Sequence, residues 1–442
     1  MAARHRIYWA VYVLILLAAS AVCLEIGARI IIAVQGQEKY DDRLAKMDKE
    51  VTRIQQVRSF TPIFASNAYW GYGYAKGVTS LDNLRSQGAP YHYPLSEEEF
   101  AWRVDGLPAN NWGFQADRDY PYNRSDAYIV GIFGGSVANF FHAMMRYDLE
   151  RELSILLHRN VVILNFALGA GKQPQQVQIL TFFSTIGQQL DLVLNIDGFN
   201  EVTQTGQNAQ DKVTTAIPAY NIIGALRPDQ RIASQLADYA AQSANLGAFV
   251  EAMQRFVRWN QRTLGSRFLH LCAATASSFA EGRLAGMRTE ITQQAKSNPG
   301  SASAIVPPFS PLFGSDDPVE QGIRIWMEST RIMARLARAA GAEYFEFLQP
   351  SQYLTQRKFT EQERTIAIQP GQEGTSHPYQ RLVSRIGELA SGGIKVYSLT
   401  DIFENVQGPI FVDDCCHFNL RGNQLMADAI IARLRAELGH SR

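Results

Sequence analysis

Two short motifs, far apart in the chain, carry side chains suited to acyl-transfer chemistry. Gly134-Gly135-Ser136 follows a predicted strand and opens a predicted helix, whose first N–H groups suit a developing oxyanion. A Gly-Gly-Ser sequence also makes an ordinary turn and helix cap. Asp414 and His417 are three positions apart, so the carboxylate can hold the imidazole Nδ1–H while Nε2 faces a nucleophile. Asp413 is an alternative partner whose spacing fits this pattern less well.

Two further strand ends carry residues of the same kind. Gly169 follows the second predicted strand, where glycine serves either close approach to a ligand or a tight turn. Asn200 follows the third strand and is either a polar group at the sheet edge or a turn former. Beside it, Asp197 is interpreted as a capping residue and Glu201 as a solvated charge.

The elements that position these residues are short apolar strands alternating with amphipathic helices. This alternation predicts a mainly parallel sheet with helices on both faces, a three-layer α/β/α sandwich of flavodoxin-like type. The predicted strands are Ala127–Phe133, Val161–Phe166, Leu190–Ile196, Glu343–Leu348 and a stretch near Ile394–Leu399. The predicted helices are Val137–Leu157, Gln175–Ile186, Pro318–Ala340 and Leu420–Leu438, the last with a buried face of Met426, Ile430, Leu434 and Leu438.

Composition limits the classes of function. Lys+Arg and Asp+Glu both number 42 in 442 residues, and this balance disfavours a nucleic-acid partner. The hydrophobic fraction of 46% supplies a sizeable core. The four cysteines do not make a disulfide scaffold, and adjacent Cys415 and Cys416 lack zinc-site spacing. No metal or cofactor is therefore predicted, and packed thiols are favoured over a strained vicinal disulfide.

The N-terminus predicts a membrane anchor. Basic residues Arg4 to Arg6 precede an uncharged, mostly apolar run of 18 residues, Ile7–Leu24, close to bilayer-spanning length. Positive charge ahead of the run predicts a cytoplasmic N-terminus and an extracytoplasmic remainder. A signal peptide cleaved near Ala19-Ser20-Ala21 is the alternative, but the apolar run continues past that site. We expect an uncleaved, single-pass anchor.

These signals divide the chain into four parts with one insertion. They are a cytoplasmic tip and anchor (1–34), a juxtamembrane stalk (35–60), an irregular lead-in (61–125), and an α/β domain (126–442) with a helical insertion at about 203–315. Helices are predicted within the insertion at Gln230–Ser243 and Leu246–Thr263. The lead-in is rich in aromatic residues that either stack on sugars or, as we favour, pack a loop-rich lobe: Tyr69, Trp70, Tyr72, Tyr74, Tyr91, Tyr93, Trp102 and Trp112.

The order of the motifs resembles that of the SGNH (GDSL-like) hydrolase superfamily over residues about 120 to 438. The resemblance implies that Ser136 is the nucleophile, Asp414 the orienting carboxylate and His417 the general base. It also implies an oxyanion hole made by the N–H groups of Ser136 and Gly169 and by the side-chain amide of Asn200. Two positions depart from the family pattern, because Gly135 and Glu201 each stand where the family has Asp. The chain therefore resembles a divergent branch.

The resemblance and the anchor together imply a function at the cell envelope. We expect a membrane-anchored serine esterase or O-acyltransferase acting through an acyl-enzyme, with its catalytic domain in the periplasm and its anchor in the inner membrane. The expected substrates are acyl esters, above all acetyl esters, of an envelope or exported polysaccharide. The alternative is a non-catalytic glycan-binding or assembly subunit that keeps the SGNH fold and docks a protein partner of an envelope complex.

Overall fold

The structure is a computed structural model that describes residues 19–34, 63–80, 106–226, 255–297, 306–368 and 378–439, with 245, 248–249 and 252–253. The chain forms two compact units, residues 1–60 with 228–301, and residues 61–227 with 302–442. The predicted stalk and the helix predicted at Gln230–Ser243 lie outside the described residues, as does most of the predicted anchor. Within the described ranges, no helix has the length and apolar character needed to span a bilayer.

The strands and helices are numbered along the chain. The strands are β1 Phe64–Asn67, β2 Gly71–Tyr74, β3 Ala127–Gly134, β4 Asn160–Asn165, β5 Leu192–Asp197, β6 Glu343–Leu348 and β7 Val396–Ser398. The helices are α1 (residues 19–34), α2 Ser136–Leu157, α3 Gln175–Thr185, α4 Phe199–Gln210, α5 Tyr220–Ala225, α6 (residues 255–263), α7 Arg267–Ser297, α8 Pro318–Ala339, α9 Glu361–Ala367, α10 Pro378–Val383, α11 Ile386–Ser391 and α12 Leu420–Leu438.

The larger unit is an α/β fold built on a five-stranded parallel sheet of order β4-β3-β5-β6-β7. Its strands are apolar on both faces, so each face must be covered. From β3, Val130 and Ile132 enter a core cluster shared with α2 and α12. Ile129 and Phe133 enter a second cluster with α3. The predicted parallel α/β sheet is confirmed.

The lead-in is more regular than predicted. β1 and β2 form an antiparallel pair, and the Asn67 side chain accepts the N–H of Tyr69 at the turn between them. Trp70, Tyr72 and Tyr74 are buried in the cluster that contains α3. These aromatic residues therefore pack the core. Of the remaining aromatic residues, Tyr91, Tyr93 and Trp102 lie outside the described residues.

In the smaller unit, α1 and α7 are joined through one carboxylate. Glu25 of α1 accepts the backbone N–H of Arg267 at 3.0 Å and of Phe268 at 3.1 Å. The hydroxyl of Ser266 also donates to Glu25, at 2.7 Å. An acidic side chain at this end of a helix satisfies N–H groups that lack an intrahelical acceptor. Glu25 thus fixes α1 to the start of α7.

Candidate active site

A serine and a histidine 281 positions apart in the sequence meet at the carboxyl end of the sheet. Ser136 is the first residue of α2, directly after β3, and His417 lies just before α12. The Ser136 hydroxyl and His417 Nε2 are 2.7 Å apart. Both residues are 6% exposed, so the pair is largely screened from water. At this distance the hydroxyl proton can pass to a neutral imidazole.

The carboxylate on the other side of the imidazole belongs to Asp413. One Asp413 oxygen contacts His417 Nδ1, and the other accepts the backbone N–H groups of Cys415, Cys416 and His417 at 3.0, 3.1 and 3.1 Å. These three bonds curl the loop around Asp413 and direct its second oxygen to the ring. The expected pairing of Asp414 with His417 is corrected accordingly.

Asp414 has a different contact within the same loop. Its backbone carbonyl accepts a hydrogen bond from the hydroxyl of Tyr353 at 2.5 Å. Gln352, the neighbour of Tyr353, brings its Nε2 within 3.2 Å of the Asp413 carbonyl and 3.1 Å of the Cys415 carbonyl. The segment after β6 therefore holds the loop of residues 413–417. No sequence motif marks this contribution of Gln352 and Tyr353.

The charge of Asp413 governs the protonation of the imidazole. Burial alone lowers the pKa of His417, but the adjacent Asp413 carboxylate outweighs it and raises that pKa to about 9. Burial likewise opposes ionisation of Asp413, yet His417 and backbone N–H groups hold the pKa of Asp413 below its usual value. The edge of Phe140 packs against the imidazole with ring centroids 5.1 Å apart. The ring is therefore fixed in place, and the Asp413 carboxylate raises its basicity.

The turn that presents Ser136 has no room for side chains. Gly134 has φ +139°, and a Cβ there would lie 2.0 Å from the carbonyl oxygen of Ile196 on β5. A Cβ on Gly135 would lie 2.4 Å from Asn200 Nδ2. The absence of an acidic residue at position 135 thus has a steric cause: the Asn200 amide occupies that space.

Two hydrogen-bond donors lie at the turn that presents Ser136. The backbone N–H of Ser136 begins α2 and so lacks an intrahelical acceptor. Asn200 donates one Nδ2 hydrogen to the Gly171 carbonyl at 2.9 Å, and its second hydrogen remains for another acceptor. Ser136 and Asn200 therefore have the donors expected of an oxyanion hole.

Gly169 differs from the other two predicted donors. Its N–H already donates to the Tyr74 hydroxyl at 2.9 Å, and its carbonyl accepts from the Tyr72 hydroxyl at 2.8 Å. Both tyrosines are buried in the lead-in. The expected role of Gly169 is corrected because its donor is committed to the β1–β2 pair. That pair is non-local in sequence, so the motif alone could not reveal the contact.

Glu201 is buried, contrary to the expectation of a solvated charge. Its two oxygens accept the N–H of Gly198 at 2.8 Å and the N–H of Gln173 at 3.1 Å. Burial and the nearby Asp197 raise the pKa of Glu201 to about 8. The carboxyl group thus connects the loop after β5 to the loop after β4, which supplies the carbonyl that binds Asn200.

Asp197 of β5 and Glu346 of β6 form a pair of buried acids within the sheet. Asp197 accepts hydrogen bonds from Trp326 Nε1 at 3.0 Å and Asn195 Nδ2 at 2.7 Å. Asn195 Nδ2 also reaches Glu346 of β6 at 3.1 Å. Burial and the charge of Glu346 raise the pKa of Asp197 well above its usual value. Asp197 is therefore a buried core residue rather than the capping residue expected from the sequence.

The two adjacent cysteines and His417 form the only group of three or more potential metal ligands within the described residues. Their Sγ atoms are 3.3 Å apart as free thiols, and with an imidazole nitrogen of His417 the ligand atoms lie within 4.8 Å of one another. The two nitrogens of that ring already contact Asp413 and Ser136. A metal ion here would compete with the serine–histidine pair.

No protein-family model matches the chain, and no curated protein matches it either.

Proposed function

We propose that the chain is a serine-dependent acyl hydrolase or acyltransferase of SGNH type, working through an acyl-enzyme. One observation carries the proposal: the Ser136 hydroxyl lies 2.7 Å from His417 Nε2, while Asp413 holds the opposite nitrogen of the ring. A nucleophile, a base and an orienting acid in this arrangement form a triad. Asp413 takes the role that the family resemblance gave to Asp414.

The proposed reaction has two stages. Neutral His417 takes the proton of Ser136 as the hydroxyl oxygen attacks the ester carbonyl carbon, and the oxyanion accepts hydrogen bonds from Ser136 N–H and Asn200 Nδ2. The ester C–O bond then breaks, and His417 gives its proton to the departing alcohol. In the second stage His417 takes a proton from water or a sugar hydroxyl, whose oxygen attacks the acyl carbon. The bond between that carbon and the Ser136 oxygen then breaks, and His417 returns the proton to Ser136, which completes hydrolysis or transfer.

The burial of the site favours a small acyl group. Ser136, Asn200 and His417 are each 6% exposed, and Phe140 packs against the imidazole. We propose acetyl esters, carried by an envelope or exported polysaccharide, as the substrate class. The choice of a polysaccharide rests on the predicted location: the run Ile7–Leu24, preceded by basic residues, would anchor the chain in the inner membrane with the site in the periplasm.

A serine-directed fluorophosphonate probe tests the proposal on the full chain. We expect a covalent adduct on Ser136 by mass spectrometry, lost in Ser136→Ala and strongly slowed in His417→Ala. Exposed Ser391, whose hydroxyl bonds the Glu388 carbonyl, gives the matched control Ser391→Ala, which should label normally. Folded wild-type protein that does not label would contradict the proposal and favour a binding or assembly subunit.

A further inference from the structure

Helix α6 of the smaller unit carries a basic and aromatic stripe on its exposed face. Arg255, Arg258, Trp259 and Arg262 are exposed and follow the spacing i, i+3, i+4, i+7, which aligns them along one side of a helix. The opposite side is buried, with Val257 at 8% exposure in a small core cluster. We call these four residues the Arg–Trp stripe.

The segment that carries the stripe lies between Glu251 and Glu281 and has an excess of positive charge. Residues 252–280 contain four arginines, the three of the stripe and Arg267, and no aspartate or glutamate. The whole chain is neutral, so this segment is a local concentration of positive charge. Three arginines on one exposed helix face complement a surface of closely spaced negative groups.

Large apolar side chains of the same segment are also exposed. Trp259 is 49%, Leu264 62% and Phe279 71% exposed. Exposed tryptophan, phenylalanine and leucine beside arginines are typical of segments that lie in a membrane interface. A soluble polyanion would complement the arginines but would leave these apolar groups in water.

The stripe is attached to the chain next to the predicted anchor. A short turn joins α6 to α7, and Asn260 of α6 donates from Nδ2 to the Ser266 carbonyl of this turn at 2.8 Å. The start of α7 is bound by Glu25, the residue directly after the apolar run Ile7–Leu24. These contacts lie within one compact unit. If the run spans a bilayer, α6 is tied to the residue at its extracytoplasmic end.

We propose that the Arg–Trp stripe binds the surface of an anionic phospholipid bilayer. Its arginines contact lipid phosphates, and Trp259 enters the headgroup region. The inference uses the proposed anchor but not the acyl chemistry, so failure of probe labelling at Ser136 would leave it standing. The insertion then serves as a second membrane contact, in addition to the anchor.

The test uses the full chain in lipid nanodiscs that contain brominated phosphatidylcholine, which quenches nearby tryptophan. The fluorescence of Trp259 is obtained by subtracting the emission of Trp259→Phe from the emission of the wild type. We expect strong quenching of this component in discs with phosphatidylglycerol and weak quenching in purely zwitterionic discs. Replacing the three stripe arginines by glutamine should reduce the ratio of membrane-bound to unbound α6 roughly 100-fold, because each charge contributes about fivefold.

The matched control removes three exposed arginines of the larger unit, with Arg151, Arg324 and Arg435 changed to glutamine. This variant should quench like the wild type. Trp259 emission that is unchanged by brominated anionic discs would overturn the proposal. Quenching that is equal in both lipids and insensitive to the arginines would also overturn it. Protection of Trp259 by DNA or an acidic polysaccharide in detergent, without quenching in the discs, would assign the stripe to a soluble polyanion instead.

Discussion

At the scale of single residues, the central feature is an imidazole whose basicity is raised by the neighbouring carboxylate. The Asp413 carboxylate raises the pKa of His417 to about 9, so at pH 7 only a small fraction of the ring can accept the Ser136 proton. We predict that the rate of fluorophosphonate labelling rises about tenfold per pH unit from pH 6 and levels off near pH 9. A rate that is flat between pH 6 and 9 would contradict this protonation state.

The two adjacent acids of the 413–417 loop should behave very differently. Asp413→Asn keeps the shape of the side chain but removes the charge that orients the ring, so we expect labelling to fall by about 10⁴-fold. Its remaining pH dependence should move to lower pH. Asp414→Asn is the matched control, since the hydrogen bond that ties Asp414 to Tyr353 is made by its backbone carbonyl, and it should label within a fewfold of wild type. Reversed effects would restore the pairing expected from the sequence.

Gly135 offers a steric test of the oxyanion hole. A methyl group at this position would lie 2.4 Å from Asn200 Nδ2 and should displace that donor. We predict that Gly135→Ala lowers kcat roughly 100- to 1,000-fold, the usual effect of losing one oxyanion donor, with less effect on KM. Gly206→Ala, in helix α4 with nothing within 4 Å, is the control. Equal kcat values for the two variants would exclude Asn200 from the hole.

At the scale of elements, the loops after β4 and β5 depend on one carboxyl group. Glu201→Ala leaves the N–H groups of Gly198 and Gln173 without their acceptor. We expect the free energy of unfolding to fall by about 1–3 kcal/mol, measured by urea denaturation. Glu388→Ala, on the exposed surface of α11, should change it by no more than about 0.5 kcal/mol. An unchanged free energy of unfolding in Glu201→Ala would show that the two loops hold together without this carboxyl group.

The sequence predicts the elements better than the contacts between them. The predicted strand Glu343–Leu348 has the observed bounds, since apolar runs that must be buried are local signals. The choice of Asp413 over Asp414 depends on which side chain accepts three successive N–H groups of its loop. The engagement of Gly169 depends on tyrosines 95 and 97 positions away. Neither contact is encoded by spacing within a motif.

At the scale of the whole molecule, the lead-in is part of the core of the larger unit. Trp70 is 1% exposed and packs against Phe114 and Phe183, with ring centroids 5.5 and 5.8 Å apart. We predict that Trp70→Ala lowers the free energy of unfolding by about 3–5 kcal/mol in urea denaturation. Tyr69→Ala, at an exposed neighbouring position, should cost much less. Similar losses for both would contradict a structural role specific to Trp70.

The 281 positions between Ser136 and His417 have a consequence for how the protein matures. During synthesis, the serine and its turn emerge long before the histidine, and the final helix emerges last. Contacts this distant in sequence form late in folding, after the local elements that they join. In this scheme the nascent chain has an unactivated serine until residues 413–417 have been made. Reactivity of Ser136 toward a serine-directed probe would then indicate completed folding. A chain that stalls before residue 417 would not react with the probe.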